Sequence, residues 1–455
     1  MSSSPSPKPV RPPSYPQLLN HTLTLAPAPL VPPTRSSPHI LVLGAGVAGL
    51  STAWTLLDHG YRVTILAADW ASYTETQRLT SQIAGALWEY PPAVCGQHTD
   101  AESLERAKAW CMISYGVWSG IAAAAAAGKS IEKDGQDGDA TDHGSKGIEE
   151  YGVKMRTANF FFKSPLHSTP SQLLKMHALA TSGVHAFSHN GQSIIAENNI
   201  PPTVGVVDAY TLQAPVIETD VSMAHLLRLV VSKGAKLVTR RIIGHLIAQE
   251  DALRAEFNAE AIVNCTGLGS AEIAGDGERC FSLRGAVLRV INDGTQFEKI
   301  EEALCIPATT DGEDGDENGD EGFVFILPRN DNILLLGGFA DHTSQLELTP
   351  ESPVVQRMRA RCEAFMPSLK NARLDPAYPL AQGLRPFRKG GVRVEREGGV
   401  REEGGNGGKG KSARSTIVHN YGHGGAGWSL SFGCAADVLR LVEEVVREVG
   451  GGSKL

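Results

Sequence analysis

The chain has no excess of basic residues: 42 Lys and Arg stand against 50 Asp and Glu, for a net charge of −8. That balance gives no electrostatic handle for nucleic acid or for an anionic membrane surface, and neither partner is expected. No C-x-x-C pair occurs, and the seven cysteines are an odd number in a chain of 455 residues, too long for a disulfide scaffold. They read as reduced thiols that fill the core. No metal-ligand spacing is present. His419 and His423 lie four apart, but on a strand-to-turn segment without a third ligand nearby, so no metal is expected. The N-terminus lacks the charged-then-apolar pattern of a signal peptide. The most apolar stretch, Leu41 to Leu57, carries three glycines and reads as strand plus helix rather than as a membrane span. What is there is a globular composition, 42% hydrophobic and 20% charged, in a chain long enough for two domains.

The chain is organised around residues 39–69, HILVLGAGVAGLSTAWTLLDHGYRVTILAAD. Ile40 to Leu43 has the length of a buried strand. Gly44-Ala45-Gly46-Val47-Ala48-Gly49 follows and fits G-x-G-x-x-G. Leu50 to Leu57 continues as a helix that stops at Gly60, and Arg62 to Leu66 is a second strand. Gly44 allows the tight turn, Gly46 lets backbone approach a pyrophosphate, and Gly49 lets helix and strand pack closely. The diphosphate would sit on unpaired N–H groups at the helix start. Asp69, twenty residues after Gly49, stands where an acid accepts ribose hydroxyls; it could also simply cap the strand.

Residues 1–37 are rich in Ser and Pro and read as a disordered arm. Ala84-Gly85-Ala86-Leu87-Trp88-Glu89 is small and apolar, suited either to backbone contact with a flat ring or to a tight loop. Residues 101–127 and 220–232 show helical spacing. Residues 129–147, 309–322 and 397–413 are low-complexity loops, and the acids of the second lack EF-hand spacing. Ala261 to Cys265 is a buried strand that ends in Thr266-Gly267-Leu268-Gly269. Phe323–Pro328 and Asn332–Leu336 read as a hairpin. Thr416 to Tyr421 is a strand, followed by four glycines in six residues and a helix from about Ser431 to Val449. Such a turn is a second place for backbone to meet a large cofactor.

These residues resemble the D-amino-acid oxidase and D-aspartate oxidase family. The resemblance lies in Ile417-Val418-His419-Asn420-Tyr421-Gly422, Gly424-Gly425-Ala426-Gly427 and Gly433-Cys434-Ala435. The loop Gly44–Gly49, the segment Ala84–Trp88, Asn264-Cys265-Thr266-Gly267 and Gly383-Leu384-Arg385-Pro386 match in the same order. The resemblance covers about residues 38–450 and looks like that to a fungal-type peroxisomal member. It implies an α/β fold. A Rossmann-type FAD-binding domain (38–147, 220–279, 371–450) would interleave with an α+β substrate domain on a mostly antiparallel sheet (148–219, 280–370). It also implies FAD held without a covalent link, a D-amino acid and O2 as substrates, and hydride transfer to the flavin that ends in a 2-oxo acid, ammonia and hydrogen peroxide. Gly424, Gly425, Ala426, Gly427, Trp428 and Ser429 would join the first loop in holding FAD. Arg385 would clamp the substrate carboxylate, and the Gly425 carbonyl would accept from its amine.

The family usually has a tyrosine where this chain has Phe325, and its aspartate oxidases have an arginine where this chain has Ala340. Phe325 packs without a hydrogen bond, and Ala340 offers a second carboxylate nothing. The expectation is therefore oxidation of neutral or bulky apolar D-amino acids. A glycine- or sarcosine-type oxidase, a D-aspartate oxidase or a flavin-binding homologue without activity are the alternatives. Glu89 replaces a neutral residue; it reads either as structural or as an attractor for basic substrates. Ser453-Lys454-Leu455, after three glycines, forms a peroxisomal address, so an import receptor and the peroxisomal matrix are expected. A homodimer is compatible with all of this.

Overall fold

The computed structural model describes residues 22–74, 78–91, 99–127, 150–168, 170–307, 323–398, 400–402 and 412–451. The insertions expected at 129–147 and 309–322, and the terminal Ser453-Lys454-Leu455, lie outside the described residues.

The chain opens with β1 (His39–Leu43), α1 (Val47–Asp58) and β2 (Arg62–Ala67), the expected strand–helix–strand unit. After α2 (Ala101–Ala126) come β3 (Val153–Phe162), α3 (Pro170–Ser182), β4 (Ser188–His189) and β5 (Asp208–Ile217). Next are α4 (Thr219–Ser232), β6 (Lys236–Thr239) and β7 (Ala261–Asn264). Four strands follow: β8 (Cys280–Ile291), β9 (Ala303–Ile306), β10 (Val324–Pro328) and β11 (Ile333–Gly337). The last part holds α5 (Pro353–Phe365), β12 (Leu380–Arg388), β13 (Arg393–Arg396), β14 (Val400–Glu402), β15 (Ser412–Arg414), β16 (Ile417–Tyr421) and α6 (Gly427–Gly451).

The strands form two main sheets. A six-stranded sheet runs β13-β16-β7-β1-β2-β6 and is parallel except at its β13 edge. Its centre, β1, is buried at every position, which is why Ile40–Leu43 is apolar without alternation. The eight-stranded sheet runs β12-β8-β11-β10-β9-β3-β5-β4 and is antiparallel except where β3 meets β9. The expected hairpin is present, with Phe325 opposite Gly337. α5 closes a separate core over this sheet through Val355, Met358, Cys362 and Phe365.

α2 is long and apolar enough to cross a membrane by length and composition, yet its apolar faces are used inside the molecule. It crosses α6 so closely that a Cβ on Gly433 would lie 2.1 Å from the Trp110 Cα. Trp118 packs on Phe432 at 5.0 Å and donates its indole N–H to the Trp428 carbonyl at 3.0 Å.

Several boundaries differ from the sequence reading. β12 belongs to the eight-stranded sheet, paired residue by residue with β8, and not to the sheet that carries the first glycine turn. The stretch 397–413 is not loop throughout: β14 and β15 pair as a ribbon. α6 runs through Gly451 and starts at Gly427, inside the Gly-rich turn. Residues 1–21 of the expected arm lie outside the described residues, and from residue 22 the arm packs on the fold. Leu23 is buried, and the Thr24 and Leu30 N–H groups donate to the Asp58 carboxylate at 2.7 and 3.2 Å. Lys233 Nζ reaches Asp58 and the Ala26 carbonyl, each at 2.8 Å. This strap has no periodicity to read, because its order comes from satisfying two buried charges.

Candidate active site

A cavity of about 480 Å³ runs from the carboxyl ends of β1, β2 and β7 to the facing strands β8 and β12. At the first end, Gly44 has φ +101°, and a Cβ there would lie 2.5 Å from the Cys265 carbonyl oxygen. A Cβ on Gly49 would lie 2.0 Å from the Gly44 oxygen, so this glycine does serve helix–strand contact. Gly44, Ala45, Gly46, Val47 and Ala48 line the cavity; Gly49 stands behind them. The Val47 N–H donates to Ser81 Oγ at 3.0 Å. Among the described residues, the Ala45 and Gly46 N–H groups have no protein partner. These free donors at a helix N-terminus fit a pyrophosphate. Asp69 lines the same end, held by Arg241 at 3.2 Å.

The segment Ala84–Trp88 divides in two. Ala84, Gly85 and Ala86 line the cavity, and Ala86 adopts φ +57°. Leu87 and Trp88 do not: Leu87 bridges to Val216, and Trp88 donates to the Cys111 carbonyl at 3.0 Å with its ring 4.6 Å from Tyr115. They anchor the wall instead of forming it, because bulky apolar rings gain more in the core. The second glycine turn divides likewise. Gly424, Gly425, Gly427 and Trp428 face the cavity with Thr266 and Gly267. Ala426 is fully buried, and Ser429 Oγ accepts the Glu89 N–H at 3.4 Å.

Arg385 lines the cavity from the facing strand β12. Its Nη1 donates to the Phe339 and Arg284 carbonyls at 3.2 and 3.5 Å. Among the described residues no carboxylate pairs with it, since Asp341 is held by Arg284 at 2.7 Å. Burial pushes its pKa down to about 10, against the pull of Asp341, so it remains cationic at neutral pH. The guanidinium lies over Gly285 on the paired strand β8, where a Cβ would come within 2.3 Å of it. A half-buried cation with spare donors beside a cavity can clamp a carboxylate.

Phe325 is not among the lining residues. Its ring backs Gly85, two ring carbons lying 2.6 Å from where a Cβ would stand. It therefore supports the wall and does not touch the cavity. Glu89, partly buried, faces the buried Lys175 at 3.6 Å and so presents no uncompensated charge. His419 lies behind the cavity: one ring nitrogen meets Asn264 at 3.2 Å, the other Glu397 at 3.0 Å. Asn264 Oδ1 in turn accepts from the Thr266 N–H and hydroxyl, which fixes a cavity residue. Burial lowers the His419 pKa, and it lowers that of His423, which lines the cavity, to about 4. Among the described residues no group of three His, Cys, Asp or Glu could hold a metal.

Residues the sequence reading passed over include Thr80, Ser81, Ile83, Gly285 and Val287, all lining the cavity. Ser81 Oγ accepts the Val47 N–H and the Thr80 hydroxyl donates to the Leu384 carbonyl at 3.1 Å, so this pair ties the glycine turn to β12. Gly285 gives no signal in isolation, since its constraint comes from a neighbouring strand.

The family model described as FAD dependent oxidoreductase matches residues 39–148 and 168–441. A D-amino-acid oxidase of Rubrobacter xylanophilus is 28% identical over 401 residues, 88% of this chain and 94% of the relative. Human D-aspartate oxidase is 30% identical over 213 residues, 47% of this chain and 50% of the relative. Among solved structures, glycine oxidase from Geobacillus kaustophilus superposes with a TM-score of 0.61 at 14% identity, covering 90% of this chain and 95% of that one. That likeness shows the same fold. The family, the free N–H groups at the start of α1 and the two glycine turns agree on one cofactor. The chain belongs to the FAD-dependent oxidoreductase family and is an FAD-dependent oxidase.

Proposed function

We propose that the enzyme oxidatively deaminates neutral, apolar D-amino acids to 2-oxo acids, ammonia and hydrogen peroxide. The carrying observation is Arg385, a cation without an ion-pair partner among the described residues, which lines the cavity from strand β12. Arg385 binds and orients the substrate carboxylate, leaving the amine within reach of backbone carbonyls such as that of Gly425. A flavin held by the Gly44–Ala48 turn and the Gly424–Gly427 turn would supply the electron chemistry, carrying two electrons from the α-carbon of the amino acid to O2. The D configuration is supported by the curated relatives, which are named D-amino-acid and D-aspartate oxidases. Neutral side chains are supported by charge: Arg284 is bound to Asp341, Glu89 to Lys175, and Ala340 offers no cation.

A panel of D- and L-amino acids with peroxide detection tests this. Apolar D-amino acids should be turned over, D-aspartate poorly and L-amino acids not at all. Silence on every D-amino acid, with oxidation of glycine or sarcosine, would overturn it. We further propose that the enzyme works in the peroxisome, addressed by Ser453-Lys454-Leu455. A fluorescent protein fused ahead of the chain should enter peroxisomes and lose that location when the three residues are removed.

A further inference from the structure

Arg329 is a charged side chain that the chemistry above does not use. It follows β10, in the turn to β11, and is 6% exposed. Its Nη1 donates to the Ile217 carbonyl and its Nη2 to the Ala84 carbonyl, each at 2.5 Å. Among the described residues it has no carboxylate partner at ion-pair distance. Asp220 is held by Arg78, and Glu218 accepts from Asn330 at 2.8 Å. Arg289, the other nearby cation, is paired with Asp375 at 3.1 Å. Burying a guanidinium is costly, and two carbonyls are a weak return if the only product is a clamp.

The Ala84 carbonyl belongs to the same planar peptide as the Gly85 N–H. In a trans peptide the two point in opposite directions. With the oxygen turned toward Arg329, the Gly85 N–H is turned away from it. Gly85 lines the cavity, and among the described residues its N–H has no partner. The loop is held in this pose by further contacts. The Ile217 N–H donates to the Ala86 carbonyl at 3.0 Å, and the Trp88 N–H to the Pro215 carbonyl at 2.9 Å. A cation on a carbonyl polarises its peptide, and hydrogen bonds in such chains strengthen one another.

We propose that Arg329 is a positioning residue for the flavin: its buried guanidinium fixes the Ala84–Gly85 peptide and strengthens the Gly85 N–H as a donor to the bound ring. Both charge and geometry matter, so a neutral replacement fails where a cationic one succeeds. This goes beyond the substrate reading and holds whichever amino acid is oxidised.

Sulfite is the probe, because its affinity for an oxidised flavin rises with the electron-withdrawing character of the ring's surroundings. Titration is done on FAD-loaded protein and followed by flavin absorbance. Arg329→Gln should bind sulfite about tenfold more weakly, equivalent to about 30 mV in a two-electron potential. Arg329→Lys at neutral pH should stay within about threefold of the parent. A purely structural clamp would lower FAD affinity and thermal stability in Arg329→Gln but leave the sulfite affinity of the loaded fraction unchanged; that result overturns the proposal. If Arg329→Gln does not fold, Arg329→Lys decides alone. A buried lysine loses its charge across about pH 7 to 9, whereas Arg329, whose pKa burial lowers only to about 10, keeps most of its charge over that range. Sulfite affinity in Arg329→Lys, relative to the parent at each pH, should then fall about tenfold. A constant ratio over that range would sink the idea.

Discussion

Arg385→Ala should raise KM and lower kcat while FAD stays bound, because the side chain belongs to the β12 wall and not to the nucleotide loop. Losing a charge-assisted pair in a closed site costs on the order of 2–5 kcal/mol, or about 30- to several-thousand-fold in kcat/KM. Arg385→Lys should recover little, since an ammonium cannot present the bidentate fork. Near-normal turnover by Arg385→Ala would remove the basis of the proposed function. Gly285→Ala tests the same group indirectly. The three atoms nearest the added methyl all belong to the head of the Arg385 side chain, so the fold can yield while the guanidinium moves. Steady-state kinetics should show a loss of at least about tenfold in kcat/KM with FAD content and melting temperature near the parent's, roughly the cost of a 1 Å misplacement or less. Arg385 was legible in the sequence through its Gly-Leu-Arg-Pro neighbours. Gly285 was not, because what it must avoid is carried on β12, a hundred residues away. Phe325 was legible as an apolar replacement for a tyrosine, but not as a residue facing Gly85 instead of the cavity.

The first strand–turn–helix was readable nearly to its boundaries because every level of its sequence agrees: apolar run, three spaced glycines, apolar helix, closing strand. Its weakest point is Gly49. A Cβ there would press on the Gly44 carbonyl oxygen, a backbone atom that cannot step aside. Gly49→Ala should destabilise by about 1–3 kcal/mol or more, as overpacking does, and should weaken FAD binding because the turn that holds the phosphates must shift. FAD release followed by flavin fluorescence checks this; unchanged affinity would mean that the helix can slide without moving the turn. The second glycine turn was located correctly, yet only part of it faces the cavity. A run such as Gly424–Ser429 shows that backbone approaches something, but not which side of each residue does so. Gly433 makes the point from the other direction: it belongs to the same motif, and its constraint is the crossing of α2 and α6 at Trp110. The ribbon β14–β15 escaped notice because glycine and charge hide short strands.

Across the whole molecule, the interleaving of two sheets was legible and the ownership of β12 was not. A strand's partner is decided by register, which the sequence does not print. The ordered strap from residue 22 was hidden for a related reason, since its hydrogen bonds end on side chains far along the chain. Asp58 and Lys233 have no exposed side-chain area, and Asp58 also accepts from the Trp54 indole at 2.7 Å. The strap thus closes over the C-terminal ends of α1 and α4, at the opposite end of α1 from the phosphate-binding turn. Stability and chemistry should therefore separate here. Lys233→Met leaves a buried carboxylate without its cation, at a cost of about 3–5 kcal/mol. For a unit of a few hundred residues that corresponds to a fall of roughly 6–20 °C in Tm. The double variant Asp58→Leu with Lys233→Met should regain part of it, because an apolar pair avoids the desolvation that a lone charge suffers. Removing residues 1–31 should resemble the single variant, since it strips Asp58 of the Thr24 and Leu30 N–H groups and Lys233 of the Ala26 carbonyl. In each case the folded fraction should keep the parent's kcat and FAD affinity. Calorimetry alongside kinetics decides: an unchanged Tm in Lys233→Met would show that the strap only rests on the fold, and a lost kcat at full folding would show that its influence travels along α1 to the cofactor.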